Sequence, residues 1–140
     1  HEREARAKGI PTVGEGRIFL TNEDDIKHTK TVDEFPRWWP HMAGQDFGYG
    51  QSEASHPTAL VFMCWDRDTD VVYIYDAFYV KKPTPITVAG KVRARHQERI
   101  EWVPIAWPHD AMKASGGNEK GTVAELHGNQ GMQMLHAATV

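Results

Sequence analysis

Two aspartates, Asp46 and Asp110, stand where a carboxylate could take part in chemistry. Asp46 lies in a short predicted strand just before a glycine-rich loop, and Asp110 follows a later predicted strand, past Pro108. Functional groups in α/β domains gather where loops leave the ends of strands. Two carboxylates brought close together repel each other unless a divalent cation lies between them. Oxygen ligands favour Mg²⁺ or Mn²⁺, and such a site could orient water and stabilise the leaving oxygen in phosphodiester cleavage.

The spacing of these two aspartates is by itself a weak signal. Two aspartates in a chain of 140 residues are common. Either one could instead cap a turn by accepting a hydrogen bond from the backbone close by. On composition alone, turn capping is the better supported of the two interpretations.

Composition excludes several classes of protein. Sixteen Lys and Arg against nineteen Asp and Glu give a net charge of −3, which excludes a strongly basic domain that coats DNA by charge alone. It does not exclude a nucleic-acid enzyme whose acidic metal site offsets a basic groove. The single cysteine, Cys64, can form neither an internal disulfide nor a cysteine-rich zinc site. No apolar stretch approaches the roughly 20 residues that cross a bilayer.

The apolar pattern predicts one α/β domain after an N-terminal arm. We expect residues 1–37 to form a linker arm with one short strand at 17–20, and residues 38–140 to form the domain. Turn signals separate the β-branched and aromatic runs, so the predicted order is β-β-β-α-β-α-β around a mixed five-stranded sheet. The predicted strands cover 42–47, 58–65, 71–80, 103–107 and 132–135, and the predicted helices run from Thr84 or Thr87 to Arg99 and from 119 to 129.

An ordered series of short motifs resembles a known family. The series comprises Gly44-Gln45-Asp46-Phe47-Gly48, His56-Pro57-Thr58-Ala59 and Trp107-Pro108-His109-Asp110. It resembles the C-terminal nuclease domain of the terminase large subunit of tailed bacteriophages, the DNA-packaging motor protein. Gly14-Glu15-Gly16-Arg17-Ile18-Phe19 in the arm resembles the segment that joins that family's ATPase domain to its nuclease. The resemblance covers nearly the whole chain.

The resemblance implies a ribonuclease H-like fold and a two-metal nuclease that cuts concatemeric viral DNA during headful packaging. Asp46 and Asp110 match the family's catalytic, metal-ligating aspartates, with Mg²⁺ or Mn²⁺ as the cofactor. The family's third carboxylate is expected beyond Val140, and its ATPase half before His1. We therefore expect this 140-residue chain alone to be inactive or nearly so. The implied partners are double-stranded DNA, the terminase small subunit and the portal protein, in the host cytoplasm, with no secretion and no membrane.

Other residues have a functional and a structural interpretation. His56 and His109 flank the proposed cluster and could contact phosphate or position water, or cap loops. Asp76 could support the site if it lies on the same face, but pairing with a nearby basic group is the favoured alternative. Trp38 and Trp39 could stack on the bases of a single strand, but we expect them to cover the core. A basic stripe could follow a DNA backbone or form a solvated helix face. It contains Lys81, Lys82, Lys91 and Arg95.

Two other functions remain open. A resolvase or transposase would share the fold and the acidic site, although the motif ending in Asp110 and the arm argue against it. An inactive remnant that acts as a protein or DNA interaction module would also fit, because a third carboxylate is not found.

Overall fold

The computed structural model of the protein describes residues 18–108 and 121–136. The chain divides into two compact units, residues 1–30 and residues 31–140. The described part of the first unit contains one short helix, α1 (Glu23–Ile26), which begins at the cap residue Asn22. Residues 18–20 are not in a strand, and their side chains are exposed. The prediction of a strand over 17–20 is therefore wrong for these three residues, whose apolar side chains are exposed and not buried against a neighbouring strand.

The second unit is built on a five-stranded sheet in the order β3-β2-β1-β4-β5. Antiparallel pairing joins β1 to β2 and β2 to β3, whereas β1 and β4, and β4 and β5, are parallel. The predicted order β-β-β-α-β-α-β is confirmed. The strands are β1 (His41–Asp46), β2 (Thr58–Asp66), β3 (Val71–Val80), β4 (Pro104–Ala106) and β5 (Gln133–Met134), and the helices of this unit are α2 (Pro85–His96) and α3 (Val123–Asn129).

The helix boundaries follow from local capping. Thr84 and Thr87 form a capping box at the start of α2, and Pro85 occupies the first turn, where a missing N–H costs nothing. The helix ends at His96, because Gln97 adopts a positive φ of 47° that an α-helix cannot continue. The predicted end at Arg99 is wrong: a 3₁₀ turn covers Gln97–Glu101. Thr122 caps α3 in the same way as Thr84 caps α2.

Both helices contribute side chains to the core on one face of the sheet. Ala43 on β1 and Phe62 on β2 are buried with Val88 and Val92 of α2. Residues that alternate with them on β1, such as Met42 and Asp46, are exposed. Because successive strand residues point to opposite faces, Asp46 lies on the face that points away from the helices.

An irregularity in the β2–β3 pairing changes the direction of side chains on β3. Phe62 is opposite Asp76, but its neighbour Met63 is opposite Ile74, so Tyr75 is an extra residue. A bulge of this kind interrupts the alternation of faces. Tyr75 and Asp76 consequently both contact the helix side: Tyr75 packs on Phe62, and Asp76 reaches α2.

Of the two tryptophans predicted to cover the core, only Trp39 packs against it. Trp38 is 83% exposed, so the prediction that it covers the core is wrong. Trp39 is half-buried and stacks on Tyr73 with ring centroids 6.1 Å apart. The buried Phe35 fills the space beneath them, 5.2 Å from the Tyr73 ring. The segment 31–37 therefore packs with the second unit.

None of the helices in the described ranges has the length and apolar character of a membrane-crossing segment.

Candidate active site

Asp46 is the last residue of β1, a strand inside the sheet with neighbours on both sides. Its backbone is in register with Ala59 of β2, and its side chain is exposed. Within residues 18–108 and 121–136, its carboxylate has no hydrogen-bond or ion-pair partner. Among the described residues, therefore, nothing occupies the two carboxylate oxygens of Asp46 at the end of this strand.

The loop beside Asp46 is held by a close backbone contact. The Gly48 N–H donates a hydrogen bond of 2.9 Å to Oγ1 of Thr58, which is buried at the start of β2. A Cβ atom at position 48 would overlap the backbone carbonyl groups of His56 and Pro57. Only glycine lets the two segments approach so closely. Gly48 and Thr58 thus place the His56-Pro57 segment next to the end of β1.

The helix side of β1 anchors this end of the strand. Gln45 and Phe47 are buried there on either side of the exposed Asp46. The Phe47 ring meets the buried His127 ring of α3 edge-on, with centroids 5.0 Å apart. Flanking residues that are fixed in the core leave the Asp46 side chain little freedom to turn inward. The alternation that produces this arrangement is visible in the sequence, whereas the partner His127 is not.

Two of the predicted site residues, His109 and Asp110, lie outside the described residues. The separation of Asp46 and Asp110 therefore stays a prediction. In the part of the chain that the structure describes, no three His, Cys, Asp or Glu side chains come together as a metal site. His56 is exposed on the loop that Gly48 holds.

Asp76 lies on the other face of the sheet from Asp46. Its carboxylate accepts hydrogen bonds from Nη2 and Nε of Arg95 at 2.6 and 2.7 Å and lies 2.8 Å from Nε2 of the buried His96. Partial burial acts to raise the pKa of Asp76, but Arg95 and His96 hold it below its ordinary value. Asp76 therefore pairs with basic groups, as the favoured alternative predicted, and the bulge at Tyr75 turns it away from the Asp46 face.

The predicted basic stripe is only partly free of acidic partners. Lys82 forms an ion pair with Glu53, and Arg95 is bound to Asp76. Lys91 donates from Nζ to the backbone oxygen of Tyr79 at 2.9 Å, and it has no carboxylate partner within the described ranges.

Three histidines are buried, and the inward position of His127 on its helix agrees with the sequence pattern, whereas the burial of the other two was not predicted. His41, His96 and His127 each have a pKa below the ordinary value, in every case mainly because burial disfavours the charged ring. The sequence signal for His127 is its position on the same helix face as Val123 and next to Leu126.

We expect stability to fall on mild acidification. The unfolded chain takes up protons on these three histidines as the pH drops below about 6.5, whereas the folded protein resists their protonation. Acidification therefore stabilises the unfolded state relative to the folded state. Urea unfolding should show a free energy of unfolding at least about 1 kcal/mol lower at pH 5.5 than at pH 7.5. The variant His127→Leu should flatten this dependence, and His56→Gln, at an exposed position, should not. An unchanged free energy across this range would contradict the expectation.

Comparison with known proteins identifies close sequence relatives. The terminase large subunits of Enterobacteria phage LP7 and Salmonella phage P22 are each 36% identical to the chain over 136 residues, which is 96% of its length. The matched region is 26% and 25% of these relatives, so the chain spans about a quarter of their length. No protein-family model matches the sequence.

Two solved structures are similar to the chain, and one of them, from P22, agrees with the sequence relatives. The P22 large terminase nuclease domain superposes with a TM-score of 0.66 at 29% identity, over 90% of this chain and 59% of that domain. The large terminase nuclease domain of bacteriophage SPP1, solved with bound Mn, matches with a TM-score of 0.40 at 26% identity, over 60% of this chain and 47% of that one. By sequence and by fold, the chain is similar to phage terminase large subunits, and it carries a ribonuclease H-like α/β fold like that of the P22 nuclease domain.

Proposed function

We propose that the chain is the nuclease part of a DNA-packaging terminase. With the help of divalent metal ions, it cuts concatemeric viral double-stranded DNA during headful packaging. The observation that carries the proposal is the free carboxylate of Asp46 at the end of an interior strand, in a fold that matches the P22 nuclease domain.

The parallel pairing of β1 and β4 supports a role for Asp110 beside Asp46. Gly44 on β1 is in register with Ala106 on β4, and both strands run in the same direction. Parallel strands end at the same edge of a sheet, where the active sites of open α/β sheets lie. Asp46 comes two residues after Gly44, and Asp110 comes four residues after Ala106. A shared site at this edge follows if the chain past Pro108 stays near it.

The donor set suits Mg²⁺ or Mn²⁺. Asp46 offers hard oxygen atoms and is not neutralised by a cationic side chain of the described ranges, in contrast to Asp76. A metal ion bound there would supply an activated water molecule and a counter-charge for the leaving oxygen. Asp46 and Asp110 would hold the metal, and His56 and His109 would orient water or contact a phosphate from the flanking loops.

The wider biological role follows from the relatives and is part of the proposal. Residues 1–37 would connect the nuclease to an ATPase domain, and the working partners would be duplex DNA, the terminase small subunit and the portal protein in the host cytoplasm. The named relatives are terminase large subunits, so the packaging role comes to this chain through them.

Metal removal and restoration test the nuclease assignment. Supercoiled plasmid should be nicked slowly by the purified chain in Mn²⁺ and not at all in EDTA, and Mn²⁺ added beyond the chelator should restore nicking. Because we expect weak activity from the chain alone, Mn²⁺ binding should be followed in parallel by electron paramagnetic resonance. Nicking that continues in EDTA, or a chain that neither binds Mn²⁺ nor nicks, would refute the proposal.

A further inference from the structure

We propose that a groove between β3 and α2 is a separate, non-catalytic site for the phosphate backbone of duplex DNA. This cationic groove is lined by Ala77, Phe78, Tyr79, Lys81, Lys91 and Arg95. This inference rests on the proposed function, because it concerns how the same DNA substrate is held.

The groove is open and its walls are fixed. β3 is an edge strand, so no further strand covers its outer side in the described part of the sheet. The cavity beside it measures about 530 Å³. The Nζ atom of Lys91 lies 5.6 Å from the centre of the Phe78 ring, and the Arg95 guanidinium lies 4.9 Å from it. Lys91 and Arg95 are each held over this ring and by an oxygen acceptor. Their side chains therefore lose little conformational freedom when a ligand binds.

Two charges in the groove remain uncompensated. Arg95 is neutralised by Asp76. Within the described ranges, neither Lys81 nor Lys91 has a carboxylate partner. The chain as a whole carries a net charge of −3, so a local excess of positive charge stands out against an acidic background. Such an excess attracts a polyanion by charge.

The groove and Asp46 lie at the same end of the sheet but on opposite faces, so one duplex contacts both only if it passes around the β3 edge. Asp46 is in register with Ala59, and Ala59 with Tyr79, so the three residues lie side by side across adjacent strands. Strands are about 4.8 Å apart, which places Tyr79 about 10 Å from Asp46 across the sheet. That span is smaller than the roughly 12 Å width of the DNA major groove. DNA that passes around the β3 edge could therefore present another phosphodiester to Asp46.

The chemistry of the groove favours phosphate over base recognition. Lysine ammonium groups act as point charges, and the described residues that line the groove include no Asn or Gln to read a base edge. Arg95, which could contact guanine with two hydrogen bonds, already uses Nε and Nη2 on Asp76. Contacts of this type position DNA without selecting its sequence, as expected for a packaging enzyme that meets any sequence.

The test measures DNA binding in EDTA, where metal-dependent cleavage cannot occur. Fluorescence anisotropy with a labelled 30-base-pair duplex should be recorded from 25 to 200 mM KCl for the purified chain and for the double variant Lys81→Gln/Lys91→Gln. Loss of two phosphate contacts should reduce the slope of log affinity against log salt concentration by about 2, and lower the affinity about tenfold at 50 mM KCl. Arg67→Gln, at the opposite end of the β2–β3 hairpin, is a control that removes one positive charge away from the groove, and it should change each quantity by less than half as much as the double variant.

A folding defect is separated from the loss of charge by Lys81→Arg/Lys91→Arg, which keeps both charges and should bind like the parent chain. The inference is overturned if the glutamine variant keeps the parental slope, if Arg67→Gln loses as much, or if a polyglutamate peptide competes as well as DNA at equal charge. A chain without nuclease activity that binds through the groove still supports it. A chain that cuts DNA but whose binding ignores both lysines overturns this inference and leaves the nuclease assignment intact.

Discussion

Replacing Asp46 with Asn should lower the rate of metal-dependent plasmid cleavage at least about 100-fold, which takes the slow nicking expected of the chain alone below detection. Changes to residues that only support metal ligands typically cost 10- to 100-fold, and a direct ligand should cost no less. The substitution preserves the shape of the side chain but removes the charge. Because the carboxylate has no partner within the described ranges, no protein contact is lost with it. The effect on folding should accordingly be small.

Asp68 provides a matched control for this experiment. It is an exposed aspartate in the turn between β2 and β3, and its carboxylate, like that of Asp46, has no described partner. Asp68→Asn should leave both cleavage and Mn²⁺ binding at the parental level, whereas Asp46→Asn should weaken Mn²⁺ binding about tenfold or more. Robust cleavage that survives Asp46→Asn would remove this residue from the site and refute the metal assignment.

Replacing Gly48 with Ala should lower the free energy of unfolding by about 3 kcal/mol, at the upper end of the cost of overpacking. The new Cβ atom would meet the backbone carbonyls of His56 and Pro57, which cannot move aside like the end of a flexible side chain. The contact would also separate the loop from Thr58, whose hydroxyl accepts the Gly48 N–H. Cleavage should fall as well, because the loop lies directly beside Asp46.

Gly90 is the control glycine. It lies in α2 with open space where a Cβ would stand. Alanine is favoured over glycine inside a helix, so Gly90→Ala should raise the free energy of unfolding by roughly 0.5–1 kcal/mol. Urea unfolding followed by circular dichroism measures both variants. Equal stabilities for Gly48→Ala and the parent chain would show that the loop is not held against β1 as described.

The order of elements could be predicted because it depends on local patterns. The β-branched run at 71–80 and the apolar run at 58–65 are each continuous enough to form strands in any context, and the turn residues between them allow a hairpin. The start of α2 was equally local, since Thr84 and Pro85 act within one turn. The motif around Asp46 could be identified for the same reason: its residues are contiguous.

The direction of individual side chains depended on contacts between distant segments. Trp38 and Trp39 are chemically identical neighbours, yet only Trp39 packs against Tyr73 and is half-buried. The predicted end of α2 lay too far along the chain. The helical pattern of the sequence continues past His96, but Gln97 adopts a positive φ that ends the helix.

The sequence by itself determined which elements form, their order, and that an aspartate lies in a short strand just before a glycine-rich loop, because these properties arise within a few residues of chain. Only the tertiary structure decided which face each carboxylate occupies. A single extra residue opposite Phe62 turns Asp76 onto α2, and the backbone of His56-Pro57 approaches Gly48 from ten residues away. Strand register and close backbone approach are set by the packing of the whole sheet, and this packing leaves Asp46 facing outward without a partner among the described residues.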